Sequence, residues 1–190
     1  MKIAVFVSGN GTNLQALIDA EKNGELSGGK IVLCVSDKAG AYALERAEKE
    51  GIKCFVLEKG NASSGEEYDG KIAEELEKEG IELVLLAGFM RILSANLVKT
   101  YAGRIMNIHP SLLPEFKGTH GIRDAFLSGT GITGVTVHFV TEALDAGPII
   151  MQKKIAIEKD DTLETLEEKI HKAEHEMYPE AVRMFIDGKL

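Results

Sequence analysis

The chain is 190 residues long and carries 22 Lys and Arg against 30 Asp and Glu, for a formal net charge of −8. That is enough chain for one domain that buries its own core without disulfide or metal staples, and the acidic balance argues against a nucleic-acid partner. With 44% hydrophobic and 27% charged residues it is not disordered, and its apolar runs, such as Leu83 to Ala87, fall far short of the roughly 20 residues of a membrane span.

Residues 2–7, Lys-Ile-Ala-Val-Phe-Val, form a β-rich run with no signal-peptide core before it. The turn Ser8-Gly9-Asn10-Gly11-Thr12-Asn13 leads into a helical pattern at Leu14, Leu17 and Ile18. Residues 30–35 repeat the strand signal, 40–50 read as a helix, 53–57 as a strand, 66–79 as a charged helix and 82–87 as an apolar strand. Strands apolar on both faces, separated by amphipathic helices, predict a parallel sheet covered on both sides. Right-handed crossovers make it doubly wound and Rossmann-like. Cys34 and Cys54 fall singly within two of these strands, as the reduced, buried thiols of a cytoplasmic protein do.

After Arg104 the pattern changes. Residues 104–109 read as a strand ended by Pro110, 115–122 as a loop with Gly118 and Gly121, and 132–140 and 148–157 as strands joined by Thr141 to Gly147. A last long helix starts near Asp161, where Asp161 and Glu164 have capping-box spacing. Leu163, Leu166, Ile170, Ala173, Met177 and Ala181 mark one face of it. The expected fold is a single α/β domain over 1–190, a Rossmann-like, mainly parallel central sheet with helices on both faces, C-terminal strands and a long final helix.

The first strand, the glycine turn and the helix start gather unpaired backbone N–H groups around one point, which favours an anion. A dinucleotide would want a third glycine where Leu14 stands, although Asp37 follows the second strand as the acidic partner would. A monophosphate is smaller and suits Thr12 and Asn13. A tight turn with no ligand is the plain alternative, and the turn by itself does not choose among the three.

Asn107 and His109 are two apart on a strand, so they share a face, at the C-terminal end where open α/β sheets bind ligands. An amide donor beside a titratable imidazole can hold an oxyanion and move a proton. A half-buried histidine with satisfied hydrogen bonds explains the same pair without function. Asp145, in Leu144-Asp145-Ala146-Gly147-Pro148, fits an Asx turn; if it reached His109 it would raise the imidazole pKa and fix its orientation. His138 reads as a strand residue, His120 as a loop residue, and His171 and His175, four apart on the last helix, as a polar face rather than a metal site.

Taken together, three segments resemble phosphoribosylglycinamide formyltransferases: Phe6-Val7-Ser8-Gly9-Asn10-Gly11-Thr12-Asn13-Leu14-Gln15, Leu86-Ala87-Gly88-Phe89-Met90-Arg91-Ile92-Leu93, and Met106-Asn107-Ile108-His109-Pro110-Ser111-Leu112-Leu113-Pro114. Val137-His138-Phe139-Val140 leading to Leu144-Asp145-Ala146-Gly147-Pro148 extends the resemblance, which spans the whole chain. It implies transfer of a formyl group from 10-formyltetrahydrofolate to the glycyl amine of glycinamide ribonucleotide, in purine synthesis. By position it implies Asn107, His109 and Asp145 as the catalytic trio and Gly11, Thr12 and Asn13 at the substrate phosphate. Glu174, Ile108 and Pro110 would meet the ribose and glycinamide. Met90, Arg91, Ile92 and Leu93, with Asn107 and Val140, Thr141, Glu142 and Ala143, would line the folate site. Residues 1–100 would then hold the phosphate, and 101–190 the catalytic and folate-binding half.

Such enzymes often place a cation shortly before the helix holding Tyr68, for the folate tail. Here the stretch reads Asn61-Ala62-Ser63-Ser64-Gly65, with Lys59 as the substitute considered. The implied partners are the two small-molecule substrates, with folate as co-substrate, no tightly bound cofactor, no metal, no nucleic acid and no membrane. The chain would be a monomer or a homodimer. There are three rival readings. A formyltetrahydrofolate hydrolase would carry an N-terminal regulatory module, for which residues 1–3 leave no room; a methionyl-tRNA formyltransferase would carry a C-terminal RNA-binding domain, which an acidic chain with one last helix is not expected to supply; and a silent folate- or nucleotide-binding module would not need the trio.

Overall fold

The computed structural model describes residues 1–58, 60 and 62–190. Seven strands form one sheet: β1 (Lys2–Val7), β2 (Lys30–Ser36), β3 (Lys53–Val56), β4 (Leu83–Leu86), β5 (Ile105–His109), β6 (Ile132–Phe139) and β7 (Ile149–Ala156). Their order is β3-β2-β1-β4-β5-β6-β7. The first five strands in that order run parallel, and β6 and β7 continue the sheet antiparallel. From β1 the chain moves outward to β2 and β3, then returns to β4 on the other side of β1. The C-terminal ends of β1 and β4 therefore border the crevice where strand order reverses, the place such sheets bind ligands.

Among the described residues six α-helices cover the two faces: α1 (Thr12–Lys22), α2 (Tyr42–Lys49), α3 (Gly65–Glu79), α4 (Ala95–Thr100), α5 (Gly121–Ser128) and α6 (Leu163–Ile186). Strand β1 shows the two-layer logic in its own residues. Ile3, Val5 and Val7 enter the core with Leu14 and Leu17 of α1 and Leu166, Ile170 and Tyr178 of α6. Ala4 and Phe6 enter a second core with Tyr68, Ile72 and Leu76 of α3 and Leu97 of α4. Alternation sends successive side chains to opposite faces, and burying both is why β1 reads as an unbroken apolar run.

Three details differ from the sequence reading. Two short helices, α4 and α5, occupy stretches without a helical reading; α4 spans six residues, too few for periodicity to register, and is started by Ser94 Oγ accepting from Leu97 N. The capping box of α6 is built on Thr162 and Thr165 rather than Asp161 and Glu164. Asp161 lies just outside, accepting from Glu158 N and Thr165 Oγ1 and pairing with Lys169 at 2.7 Å. Cys34 is buried as expected, but Cys54, opposite it on the edge strand β3, is only half-buried. Both are free thiols, and burial together with its neighbour pushes the Cys34 thiol up to about 12.

Candidate active site

A cavity of about 970 Å³ opens along the C-terminal ends of β1, β4 and β5 and reaches α6 and the start of α5. Every residue assigned a site role in the sequence lines it. Lys59, the substitute for a folate-tail cation, and Asn61, the first residue of the stretch without one, lie outside the described residues.

At one end lies the turn after β1. Gly11 has φ 78, and a Cβ there would come within 2.5 Å of Ala43 Cβ, so left-handed backbone and the close approach of α2 both demand glycine. Gly11 is also the N-cap of α1 and offers no side chain to its first turn. The helix thus opens into the cavity with free donors and the positive end of its dipole, the arrangement that suits an anion. Asn13 Nδ2 donates to Glu174 Oε2 at 3.1 Å, and His171 Nδ1 donates to the same oxygen at 3.0 Å. Glu174 is buried, and its hydrogen bond raises the His171 pKa above 6.5 against the opposing effect of burial. Asn13 Oδ1 is buried without a protein partner, so this corner presents acceptors, which fit sugar hydroxyls.

In the middle, β5 and β6 set Asn107 opposite His138 and His109 opposite Thr136. His109 Nε2 lies 2.8 Å from the Phe116 carbonyl, so that nitrogen carries the hydrogen, and Nδ1 lies 3.8 Å from Asp145 Oδ2. Asp145 Oδ2 also accepts from Gly118 N at 2.9 Å. The 115–122 segment therefore holds both His109 and Asp145 through its backbone. Asp145 has φ 46, left-handed backbone that Asp adopts more readily than most non-glycine residues. Gly147 makes the turn possible, since a Cβ there would fall 1.8 Å from the Phe139 carbonyl oxygen. His138, read from sequence only as a strand residue, completes the group: its Nε2 stands 3.1 Å from Asn107 Nδ2 and 3.7 Å from Asp145 Oδ1. The signal that would have found it is its place opposite Asn107 once β5 and β6 are paired.

At the other end the lining turns apolar. Met90 and Ile92 are exposed at 56% and 76%, and Met90 N is fixed by Ser8 Oγ at 2.9 Å. The Arg91 guanidinium lies 3.8 Å over the Tyr68 ring, with Nε buried and unpartnered. Val140 to Ala143 form the opposite rim, tied to β5 through Val140 N on the Ile105 carbonyl. His120 is exposed at the start of α5, while His171 and His175 stack 6.5 Å apart. Among the described residues no group of three or more His, Cys, Asp or Glu is arranged to hold a metal ion, and no helix is long and apolar enough to cross a membrane.

The site can therefore hold an anion and a sugar at one end and a flat apolar group at the other, with an amide, an imidazole and a carboxylate between. Known proteins share this chain's whole length. The family model for formyl transferase matches residues 1–182. A phosphoribosylglycinamide formyltransferase of Bacillus subtilis is 43% identical over 187 residues, covering 97% of this chain and 94% of that protein. A solved phosphoribosylglycinamide formyltransferase of Bacillus halodurans superposes with a TM-score of 0.95 at 41% identity, covering 98% of this chain and 95% of the other. The trifunctional purine biosynthetic protein adenosine-3 of Gallus gallus is 46% identical over 188 residues, but the chain spans only 19% of that longer relative. The chain belongs to the formyl transferase family, among the phosphoribosylglycinamide formyltransferases.

Proposed function

We propose that the protein transfers the formyl group of 10-formyltetrahydrofolate to the glycyl amine of 5-phosphoribosylglycinamide, giving the formylated ribonucleotide and tetrahydrofolate. The observation that carries this is the convergence of the Gly11 turn, the Asn107, His109 and Asp145 group and the apolar rim on one cavity. Its volume, about 970 Å³, suits two small substrates side by side. The phosphate sits on the backbone of Gly11, Thr12 and Asn13, and the ribose hydroxyls meet Glu174, with Ile108 and Pro110 along the glycinamide. The folate ring lies between Met90, Arg91, Ile92 and Leu93 and the rim from Val140 to Ala143. Residues 1–100 contribute the phosphate cradle and one wall of the folate slot, and 101–190 the reacting groups.

The amine attacks the formyl carbon, and the carbonyl oxygen becomes an oxyanion. Asn107 donates an N–H to it, and His109 approaches once its Nε2–H leaves the Phe116 carbonyl. The new C–N bond stands as the amine proton passes to folate N10, whose bond to carbon then breaks. Asp145, 3.8 Å from His109 Nδ1, orients the imidazole and offsets the positive charge that builds on it as the contact tightens on binding. No covalent enzyme intermediate is part of this path, and folate acts as co-substrate rather than as a resident cofactor.

The test is folate absorbance in two mixtures of protein and 10-formyl folate, one with and one without the ribonucleotide. Deformylation in the complete mixture alone is the expected result. Deformylation in both identifies a hydrolase, and silence in both overturns the proposal.

A further inference from the structure

We propose that His138 is a positioning residue for the transfer reaction: its fixed tautomer decides which way round the Asn107 amide stands. The inference rests on the function proposed above and names a residue to which that function assigns no role.

The argument follows the hydrogens. His138 lies in β6 directly opposite Asn107 of β5 and is 2% exposed, so water does not compete for its nitrogens. Its Nδ1 is 2.8 Å from the Phe139 carbonyl oxygen. A carbonyl only accepts, so Nδ1 carries the hydrogen. Burial lowers the His138 pKa below 6.5, although Asp145 pulls it up; His109 and Lys117, the other charged groups acting on it, push it down. The ring is therefore neutral at neutral pH, and Nε2 holds a lone pair. The Asn107 atom 3.1 Å from that lone pair must be the amide nitrogen.

One Asn107 N–H is thus spent on His138, and the second is left for the cavity. Reversing the amide would put its carbonyl oxygen where the nitrogen stands, and an oxyanion arriving there would meet a dipole of the wrong sign. A terminal amide turns between these two states with little intrinsic preference, and amide orientation follows from the network around it. Among the described residues, His138 is the group hydrogen-bonded to the Asn107 side chain, and so the group that chooses.

The experiment has two arms, read against wild-type transfer. In long-range 15N spectra of the intact protein at pH 7, His138 is expected with Nδ1 protonated and Nε2 bare; an Nε2–H tautomer or an imidazolium overturns the proposal without any variant. In kinetics, His138→Phe keeps a ring and removes the acceptor. It is expected to lower kcat about tenfold or more, the scale of a misplaced oxyanion donor, while KM for both substrates moves little. His138→Gln, which restores an acceptor, recovers most of the loss. In an Asn107→Ala background His138→Phe has no further effect, because His138 acts through Asn107. Full kcat in His138→Phe, no recovery in His138→Gln, or additive losses in the double variant overturn the inference. Absence of transfer by the wild type overturns instead the function on which it rests.

Discussion

Asn107 and His109 stand in the cavity on unequal terms. Asn107 has one N–H bound to His138 and one free, whereas His109 has Nε2 held by Phe116 and Nδ1 facing Asp145. For the proposed transfer Asn107 is thus already placed as a donor, and His109 must be released. Asn107→Ala is expected to lower kcat by roughly 10²–10³ with little change in KM, the signature of an interaction made in the transition state; steady-state kinetics on both substrates checks it. At the phosphate end, Glu174 raises the His171 pKa. Glu174→Gln removes the charge and lowers the midpoint, which a proton NMR titration of the His171 ring reads directly. The sign for stability follows. Because the folded value lies above the ordinary 6.5, the pair stabilises the native state fully below pH 6.5 and loses that contribution as pH rises through the folded pKa. His171 is 48% exposed, so solvent screens the effect to a fraction of a kcal/mol or thereabouts, about what surface pairs give.

Among the elements, α6 binds the two halves of the sheet together. Tyr178 is fully buried, and its hydroxyl lies 3.0 Å from both the Leu86 carbonyl, at the end of β4, and the Met106 carbonyl of β5. Tyr178→Phe leaves those acceptors without their donor in a dry core and is expected to cost about 1–3 kcal/mol; the shift of the denaturation midpoint at constant slope measures it. The core face of this helix was legible in the sequence because Leu166, Ile170, Ala173, Met177 and Ala181 keep a helical period over many turns. Its first turn was not, since Asp160-Asp161-Thr162-Leu163-Glu164 offers several capping residues in a row and only the hydrogen bonds choose Thr162. The parallel strands were legible because burial on both faces forces unbroken apolar runs. Asn107 and His109 were legible as a pair because alternation and Pro110 fix their face. The contact with Asp145 was not: it depends on the left-handed turn at Asp145 and on how β6 and β7 close, which local pattern does not encode. His138 was hidden for the same reason, its partner being 31 positions away on another strand.

The whole molecule joins its early and late residues at the ligand site, and this sets how it should unfold. The proposed phosphate cradle lies at the start of α1, yet the Asn13 side chain is held by Glu174 of α6, and α6 shares the core of β1, α1 and α2. A ribonucleotide bound there, as proposed, would touch both halves of the chain. If those halves were independent, it would stabilise one of two transitions; as one core, it must raise a single transition. At a free concentration one hundred times its Kd a ligand adds about 2.7 kcal/mol, which for a chain of this size moves Tm by about 5–10 °C. Scanning calorimetry with the ribonucleotide alone is expected to show one peak, shifted upward without splitting. A peak that splits, with one component unmoved, would show that α6 does not couple the cradle to the catalytic strands and that the chain is two units rather than one.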